Sequence, residues 1–370
     1  MNSGTLAREV AALAMRVLAV LTTWAAPALA MRTAPALTTC AAATRRARLR
    51  TRIAALVAAA IASLIPPGSA AQSAATTPAC PPAAVPLDAD RFRVGMSQAE
   101  DHGFLWRVTK GGRTSYLYGT IHAARQEWMF PGPRILAALE SSDVLALELD
   151  LLDADVRARL AQAATARPDE RLPAALDARI ERRMAAECVT GAPWRGFAPE
   201  FQVASLAVLA ARREGLDPSY GIDLVLALIA RDLGKASASL ETPEAQIKAL
   251  RMPTRAAMLE FVTASLDELD AGRSGPVLAR LAGAWTDGNL AELEGYERWC
   301  DCLGSAAERA AQKRLVDDRN PLLAQAFDEL HGGGRSVFAA VGSLHLIGAG
   351  GLPSLLRQRG YAVEQIPFGR

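Results

Sequence analysis

Two kinds of hydrophobic pattern alternate along this chain, and their order predicts its architecture. Phe104-Leu105-Trp106-Arg107-Val108 and Thr114 to Gly119 are strand patterns separated by Gly111-Gly112, the spacing of a hairpin. Pro131-Gly132-Pro133 opens a helix through Glu140. Val144-Leu145-Ala146-Leu147-Glu148-Leu149 follows as a near-continuous apolar run with one acid set into it. Runs of this kind are buried strands. Ala236 to Glu241 is a short strand, and Val337 to Val341 is another continuous run after the Gly332-Gly333-Gly334 loop. Pro353–Arg359 reads as a helix capped by Gly360, and Tyr361–Ile366 as the last strand.

Between these ends the period changes to that of a helix. Asp153–Ala166, Ala174–Ala186, Glu200–Glu214 and Ile222–Leu233 are separated by Pro168, Pro173, Gly191, Pro193 and Gly215. Pro243, suited to a first turn, starts a further helix after the short strand. Ala256–Leu269, Val277–Trp285, Leu290–Trp299 and Pro321–His331 continue the pattern. The prediction is an α+β (mixed α/β) fold. Its central sheet is built from strands near both ends of the mature chain, with a large helical insertion at about residues 151–330.

Upstream, the pattern is that of targeting sequence. Arg45-Arg46-Ala47-Arg48-Leu49-Arg50-Thr51-Arg52 is a basic segment and Ile53–Ile65 an apolar core. Pro66-Pro67-Gly68 breaks that core, and Ser69-Ala70-Ala71 supplies small residues for cleavage. The core is shorter than the roughly 20 residues of a spanning helix. An earlier apolar run, Ala11 to Ala30, is also signal-like, or an N-terminal anchor if retained. Residues 1–71 are therefore expected to be an export leader, 72–103 a Pro/Ala-rich linker arm, and 104–370 the folded domain. That domain is expected to lack a membrane span and to work in the periplasm or as a secreted protein.

Composition narrows the partners. At 51% hydrophobic and 22% charged residues, the chain is globular. Of its 41 basic and 39 acidic residues, the leader holds eight arginines and one acid, Glu9. The remainder carries a charge of about −5, which is no footprint for nucleic acid. Of five cysteines, Cys40 leaves with the leader. An exported chain is then expected to use Cys80, Cys188, Cys300 and Cys302 in two disulfides. Cys300 and Cys302 stand too close to bridge each other without strain, so each is expected to pair with one of Cys80 and Cys188. A lone Cys-x-Cys is poor spacing for zinc.

Candidate chemistry gathers at two strand ends. Tyr116-Leu117-Tyr118-Gly119-Thr120-Ile121-His122 and Val337-Phe338-Ala339-Ala340-Val341-Gly342-Ser343-Leu344-His345 share one local context, a strand running into Gly-x-x-His. The chain has four histidines, and two of them occupy it. The strand fixes the backbone and glycine permits a turn or a close approach. The imidazole is delivered at a strand end, where clefts of α/β sheets lie. His102 and His331, in polar, loop-like surroundings, are assigned no role.

Seven segments in order carry a family resemblance. They are Leu105-Trp106, Tyr118-Gly119-Thr120-Ile121-His122, Leu147-Glu148-Leu149-Asp150, Tyr220-Gly221-Ile222-Asp223, Leu240-Glu241-Thr242-Pro243-Glu244-Ala245-Gln246, Arg319-Asn320 and Val341-Gly342-Ser343-Leu344-His345. From about Phe104 to Ile366 the chain resembles the TraB/GumN family, which includes the pheromone-shutdown proteins and the animal Tiki proteins. Tiki members are described as metal-dependent peptidases using two Gly-x-x-His motifs and glutamates. Other members are assigned to plasmid-pheromone inhibition or polysaccharide gene clusters.

The resemblance implies an exported metal-dependent hydrolase, acting on peptides or another small substrate. Two histidines and a carboxylate suffice for a divalent ion with open positions, with manganese, cobalt or zinc all suited. His122, Glu148 and His345 are the expected ligands, and Gly119 and Gly342 shape the two motifs. Glu241 is a second ligand or the general base. Arg319 stabilises an oxyanion or clamps a carboxylate, and Asp223 orients a histidine. Each has a plainer reading. A lone histidine is usually structural, and a buried Glu148 needs a partner that is either a metal or an arginine. Glu241 and Asp223 also suit helix N-terminal positions, and Arg319-Asn320-Pro321 suits a helix junction. The alternatives to turnover are a binding protein that sequesters a peptide or small ligand, and an accessory factor in polysaccharide production.

Overall fold

The computed structural model describes residues 80–189, 192–303 and 306–368. The expected leader, with Cys40, and the first part of the expected arm lie outside these residues. A six-stranded mixed sheet organises the rest. Its strands are β1 (Phe104–Lys110), β2 (Arg113–Thr120), β3 (Val144–Leu147), β4 (Ala236–Ser239), β5 (Val337–Gly342) and β6 (Ala362–Ile366), in the spatial order β4-β3-β5-β2-β1-β6. β2, β5, β3 and β4 run parallel, and β1 pairs antiparallel with β2 and β6.

Burial explains the order. Val337 to Val341 are all buried, as an unbroken apolar run at the sheet's centre requires. β3 is likewise buried at every position. The outer strands β4, of small residues, and β6 are half-exposed, as edges are. Thr120 lies opposite Gly342, Leu147 opposite Ala340, and Leu147 opposite Ser239. The C-terminal ends of the four parallel strands therefore share one edge of the sheet. β3 stops at Leu147, so Glu148 stands just beyond the strand, not within it.

The middle of the chain is helical, as expected, and carries a core of its own. Ile180, Met184, Val203, Leu206, Met258, Val262, Leu266 and Leu269 form it, from the helices Ala174–Ala186, Pro199–Ala210 and Arg255–Asp270. Arg179 and Arg183 bind Asp270 across two of these helices at 2.6 and 2.7 Å. Helix Ala306–Leu315 was not apparent from the sequence pattern. Among the described residues, no helix is long and apolar enough to cross a membrane.

Three expectations need correction. Part of the expected arm is structured. Asp88 caps a helix over Ala89–Ser97, and Leu87 and Phe92 bury themselves in the main core. The disulfides join Cys80 to Cys188 and Cys300 to Cys302, not one pair to the other. Asp301 adopts a left-handed backbone (φ 52°), which brings the Cα atoms of Cys300 and Cys302 to 5.0 Å. This local bend is the strain that had argued against a Cys-x-Cys bridge, and the chain accepts it. His331 is buried in helix Asn320–Gly332, where Ser115 Oγ and the Lys110 carbonyl hold its ring at 2.8 and 3.1 Å. It is structural.

Candidate active site

Four neighbouring strands each deliver one residue to the shared edge. In spatial order, Glu241 follows β4, Glu148 follows β3, His345 follows β5 and His122 follows β2. Adjacent strands lie about 4.8 Å apart, so groups remote in sequence become neighbours. Arg319 enters from the residue preceding helix Asn320–Gly332.

His122 stands at the open side, its side chain 63% exposed. Asp223 Oδ2 accepts from its Nδ1 at 2.8 Å, and Thr120 Oγ1 donates to Asp223 Oδ1 at 2.6 Å. Asp223 reaches this place from the first turn of helix Ile222–Asp232. With Nδ1 engaged, Nε2 faces the site.

His345 is buried. Asn320 Oδ1 accepts from its Nδ1 at 2.6 Å, while Asn320 Nδ2 donates to the Gly350 carbonyl at 2.8 Å. That second bond assigns the amide's orientation and hence the ring's tautomer. The Nε2 lone pair faces Arg319 Nη1 at 3.2 Å and Glu148 Oε1 at 3.8 Å.

Arg319 ties the cluster together. Its Nη2 meets Glu148 Oε2 at 2.5 Å and also Glu241 Oε1, and its Nε meets Glu241 Oε2 at 3.1 Å. Nη1 also donates to the Leu315 carbonyl at 2.8 Å. Glu148 Oε1 accepts from the Gly342 N–H at 2.7 Å, and Gln246 Nε2 reaches Glu241 Oε1 at 3.1 Å. The partner that buried Glu148 requires is thus this arginine. In this arrangement the guanidinium is engaged on carboxylates, not presented as an open clamp.

Both motif glycines are needed for close approach, not for a turn. Neither adopts a positive φ. A Cβ on Gly342 would sit 3.2 Å from Glu148 Oε1, 3.5 Å from His122 Nε2 and 3.8 Å from His345 Cδ2. The missing side chain leaves a cradle bordered by all three expected ligands. A Cβ on Gly119 would meet Leu346 Cδ1 and Ser343 Oγ, each at 2.7 Å. Gly119 therefore lets β2 pack against the turn that carries His345, and its carbonyl accepts from Trp285 Nε1 at 2.7 Å.

The electrostatics separate the groups. The Asp223 carboxylate pulls His122 up to about 9, with desolvation opposing it, and the ring's exposure to solvent weakens that coupling. Burial lowers His345 to about 4, so it is neutral at neutral pH. Burial pushes Glu148 up, but His345, His122, Arg319 and the Gly342 N–H together hold it down at about 2. An uncharged His345 leaves Arg319, His122 and the Gly342 N–H to keep Glu148 ionised at neutral pH. Burial raises Glu241, against the pull of Arg319.

A cleft of about 260 Å³ opens on these residues. His122, Glu148, Arg319 and His345 form its polar side, and Val208, Leu278, Leu281, Trp285, Leu293 and Val316 line it from the helical middle. Trp285, with its ring fully buried, also stands against Gly119. Sequence reasoning assigned no site role to Asn320, Gln246, Thr120 or the apolar wall. A buried amide beside Arg319, and Gln246 five residues after Glu241, were the available signals. The wall had none, because its residues sit at ordinary helical spacing.

As the side chains stand, no three His, Cys, Asp or Glu among the described residues are arranged to hold an ion. The donor chemistry nevertheless suits a divalent cation. Two imidazoles have Nδ1 fixed by hydrogen bonds and Nε2 turned inward, and an ionised carboxylate lies beside the Gly342 cradle. In this structure Arg319 lies on His345 Nε2 and Glu148 Oε2.

The TraB/PrgY/gumN family model matches residues 104–365, most of the chain, and the chain belongs to that family. No curated protein and no solved structure matched it.

Proposed function

We propose that this TraB/PrgY/gumN family member is an exported metal-dependent hydrolase that acts on peptides. One observation carries the reading. Two imidazoles from opposite ends of the domain border the same cradle as an ionised glutamate, and each has its outer nitrogen fixed. A merely structural histidine does not need its second nitrogen turned toward a shared carboxylate, as His122 Nε2 and His345 Nε2 are toward Glu148. His122, His345 and Glu148 would hold the ion, and manganese, cobalt or zinc suits this nitrogen and oxygen set. Such an ion supplies Lewis-acid polarisation of a carbonyl and an activated water.

The remaining residues take roles from their positions. Glu241, raised by burial against the pull of Arg319, is the nearest further carboxylate and the candidate general base, with one oxygen freed as the guanidinium shifts. Asp223 and Asn320 hold the rings in the required tautomers. The apolar wall seats an apolar part of the substrate and keeps water from the reacting bond. Two disulfides and the signal-like leader support work outside the cytoplasm.

A second reading has one observation of its own. Arg319 already satisfies Glu148 and Glu241, so the cleft can bind a peptide without turning it over. Metal analysis of the purified domain and of His122→Ala, with mass spectrometry of a defined peptide mixture, decides between them. Stoichiometric metal and new fragments support the hydrolase. Peptide retained with unchanged mass and no metal supports sequestration.

A further inference from the structure

We propose that Arg319 is the site's own cation, and that its guanidinium and a divalent ion compete for Glu148 and His345. The inference rests on the metal-dependent reading above and adds a role for the arginine. Its ground is which lone pairs are in use. Arg319 Nη1 lies on His345 Nε2, the nitrogen a metal would take, because Nδ1 is committed to Asn320. Arg319 Nη2 lies on Glu148 Oε2, while Oε1 is committed to the Gly342 N–H. The guanidinium thus covers a donor on each of two expected ligands.

Burial makes some cation obligatory there. The side chains of Arg319, Glu148 and Glu241 are only 11, 8 and 5% exposed. Two ionised carboxylates cannot share that space uncompensated, since a buried charge without a partner is strongly destabilising. One guanidinium against two carboxylates leaves the cluster one positive charge short, and the exposed His122–Asp223 pair adds none. The arginine therefore keeps the metal-free site folded and its ligands gathered. With a divalent ion and Arg319 both on the cluster, three positive charges would face two carboxylates, so an ion that takes Glu148 and His345 displaces the guanidinium from them, and Glu241, which holds Arg319 through both Nε and Nη2, is the anchor the guanidinium keeps.

The experiment uses chelator-stripped full domain, Zn²⁺ as probe, and Arg319→Met, with Arg319→Lys as a gentler second variant. Calorimetric titration gives Kd, and thermal melts are recorded with and without the ion. Competition predicts that metal-free Arg319→Met melts below metal-free wild type, yet binds Zn²⁺ at least tenfold more tightly and gains more in Tm. Arg319→Lys should fall between them, and it alone decides if the methionine variant does not fold. In wild type, the Arg319 Nε–H signal in ¹⁵N spectra should shift on Zn²⁺ addition. Wild type that binds Zn²⁺ while the variants bind equally or more weakly overturns the proposal alone, since Arg319 would then be positioning the ligands. An unmoved Arg319 signal in the metal-bound protein overturns it too. If neither wild type nor variants bind, the metal-dependent reading falls with it.

Discussion

Asn320 and His345 form the most enclosed contact of the site, an amide oxygen 2.6 Å from Nδ1 with both side chains buried. Its counterpart across the cleft, Asp223 with His122, makes the same kind of bond in the open. The two histidines share a motif but not an environment.

That asymmetry predicts different costs for losing each ring. His122→Ala should leave the melting temperature nearly unchanged while abolishing metal binding. His345→Ala should abolish it and also destabilise the domain by about 1–3 kcal/mol, because Asn320 is left with an unpaired buried acceptor. Urea denaturation beside metal titration checks both.

Asp223→Asn and Asn320→Leu remove orienting groups and no ligand. Each should weaken metal affinity by roughly 10–100-fold, as loss of such partners does elsewhere. Unchanged affinity in both would make the two contacts structural only.

Gly342→Ala places a methyl among Glu148, His122 and His345 without forcing the backbone, so the variant should fold and lose metal binding. Gly119→Ala drives a methyl to 2.7 Å from Leu346 and Ser343. Overpacking of that kind costs about 1–3 kcal/mol, so here stability should fall. Circular dichroism melts and metal titration of the two variants separate the outcomes.

A pH effect should appear far from the cleft. The Tyr361 hydroxyl, 2.6 Å from Asp328, lowers that carboxyl's pKa, with Lys110 Nζ adding to it at 3.2 Å. A carboxyl lowered on folding stabilises above its unfolded value of about 3.9, and the gain is lost as pH falls through the folded value. Tyr361→Phe should therefore be less stable than wild type at pH 7, and the gap should narrow as pH falls below the unfolded value of about 3.9. Denaturation across that range checks the sign.

The two disulfides should differ in worth. Cys80 and Cys188 are 108 residues apart and close a long loop, worth about 4–5 kcal/mol on the chain-entropy account. Cys300 and Cys302 are two apart, and on the same account so short a loop is worth only about 1.5 kcal/mol. Cys188→Ser should lower the denaturation midpoint far more than Cys302→Ser, both measured in oxidising buffer.

The sheet was legible because unbroken apolar runs such as Val337–Val341 have few other uses, and the helical middle because breakers punctuate it. Strand-end residues stood out for the same reason, since Gly-x-x-His after a buried run fixes where the ring emerges. What stayed hidden depends on long-range geometry. Asp301's left-handed backbone decides the cysteine pairing, and no local pattern announces it. Leu87 and Phe92 look like stray apolar residues in a Pro-rich arm until a partner surface exists. Arg319's engagement with two carboxylates follows from β3 and β4 being neighbours, and the register of β4 cannot be told from four small residues.

The place of β5 has a bearing on how the protein comes into being. This strand, near the end of the chain, lies between β3 and β2, which are made some 190 residues or more before it. Until Val337–Gly342 emerges, β2 and β3 have no common neighbour, and two inner edges stay open to wrong pairing. A chain that stops short of β5 lacks the strand that joins β2 to β3 and carries His345, so any activity of this sheet edge waits on that one late segment. Chaperoning of the exposed β2 and β3 edges is the natural need of such an order.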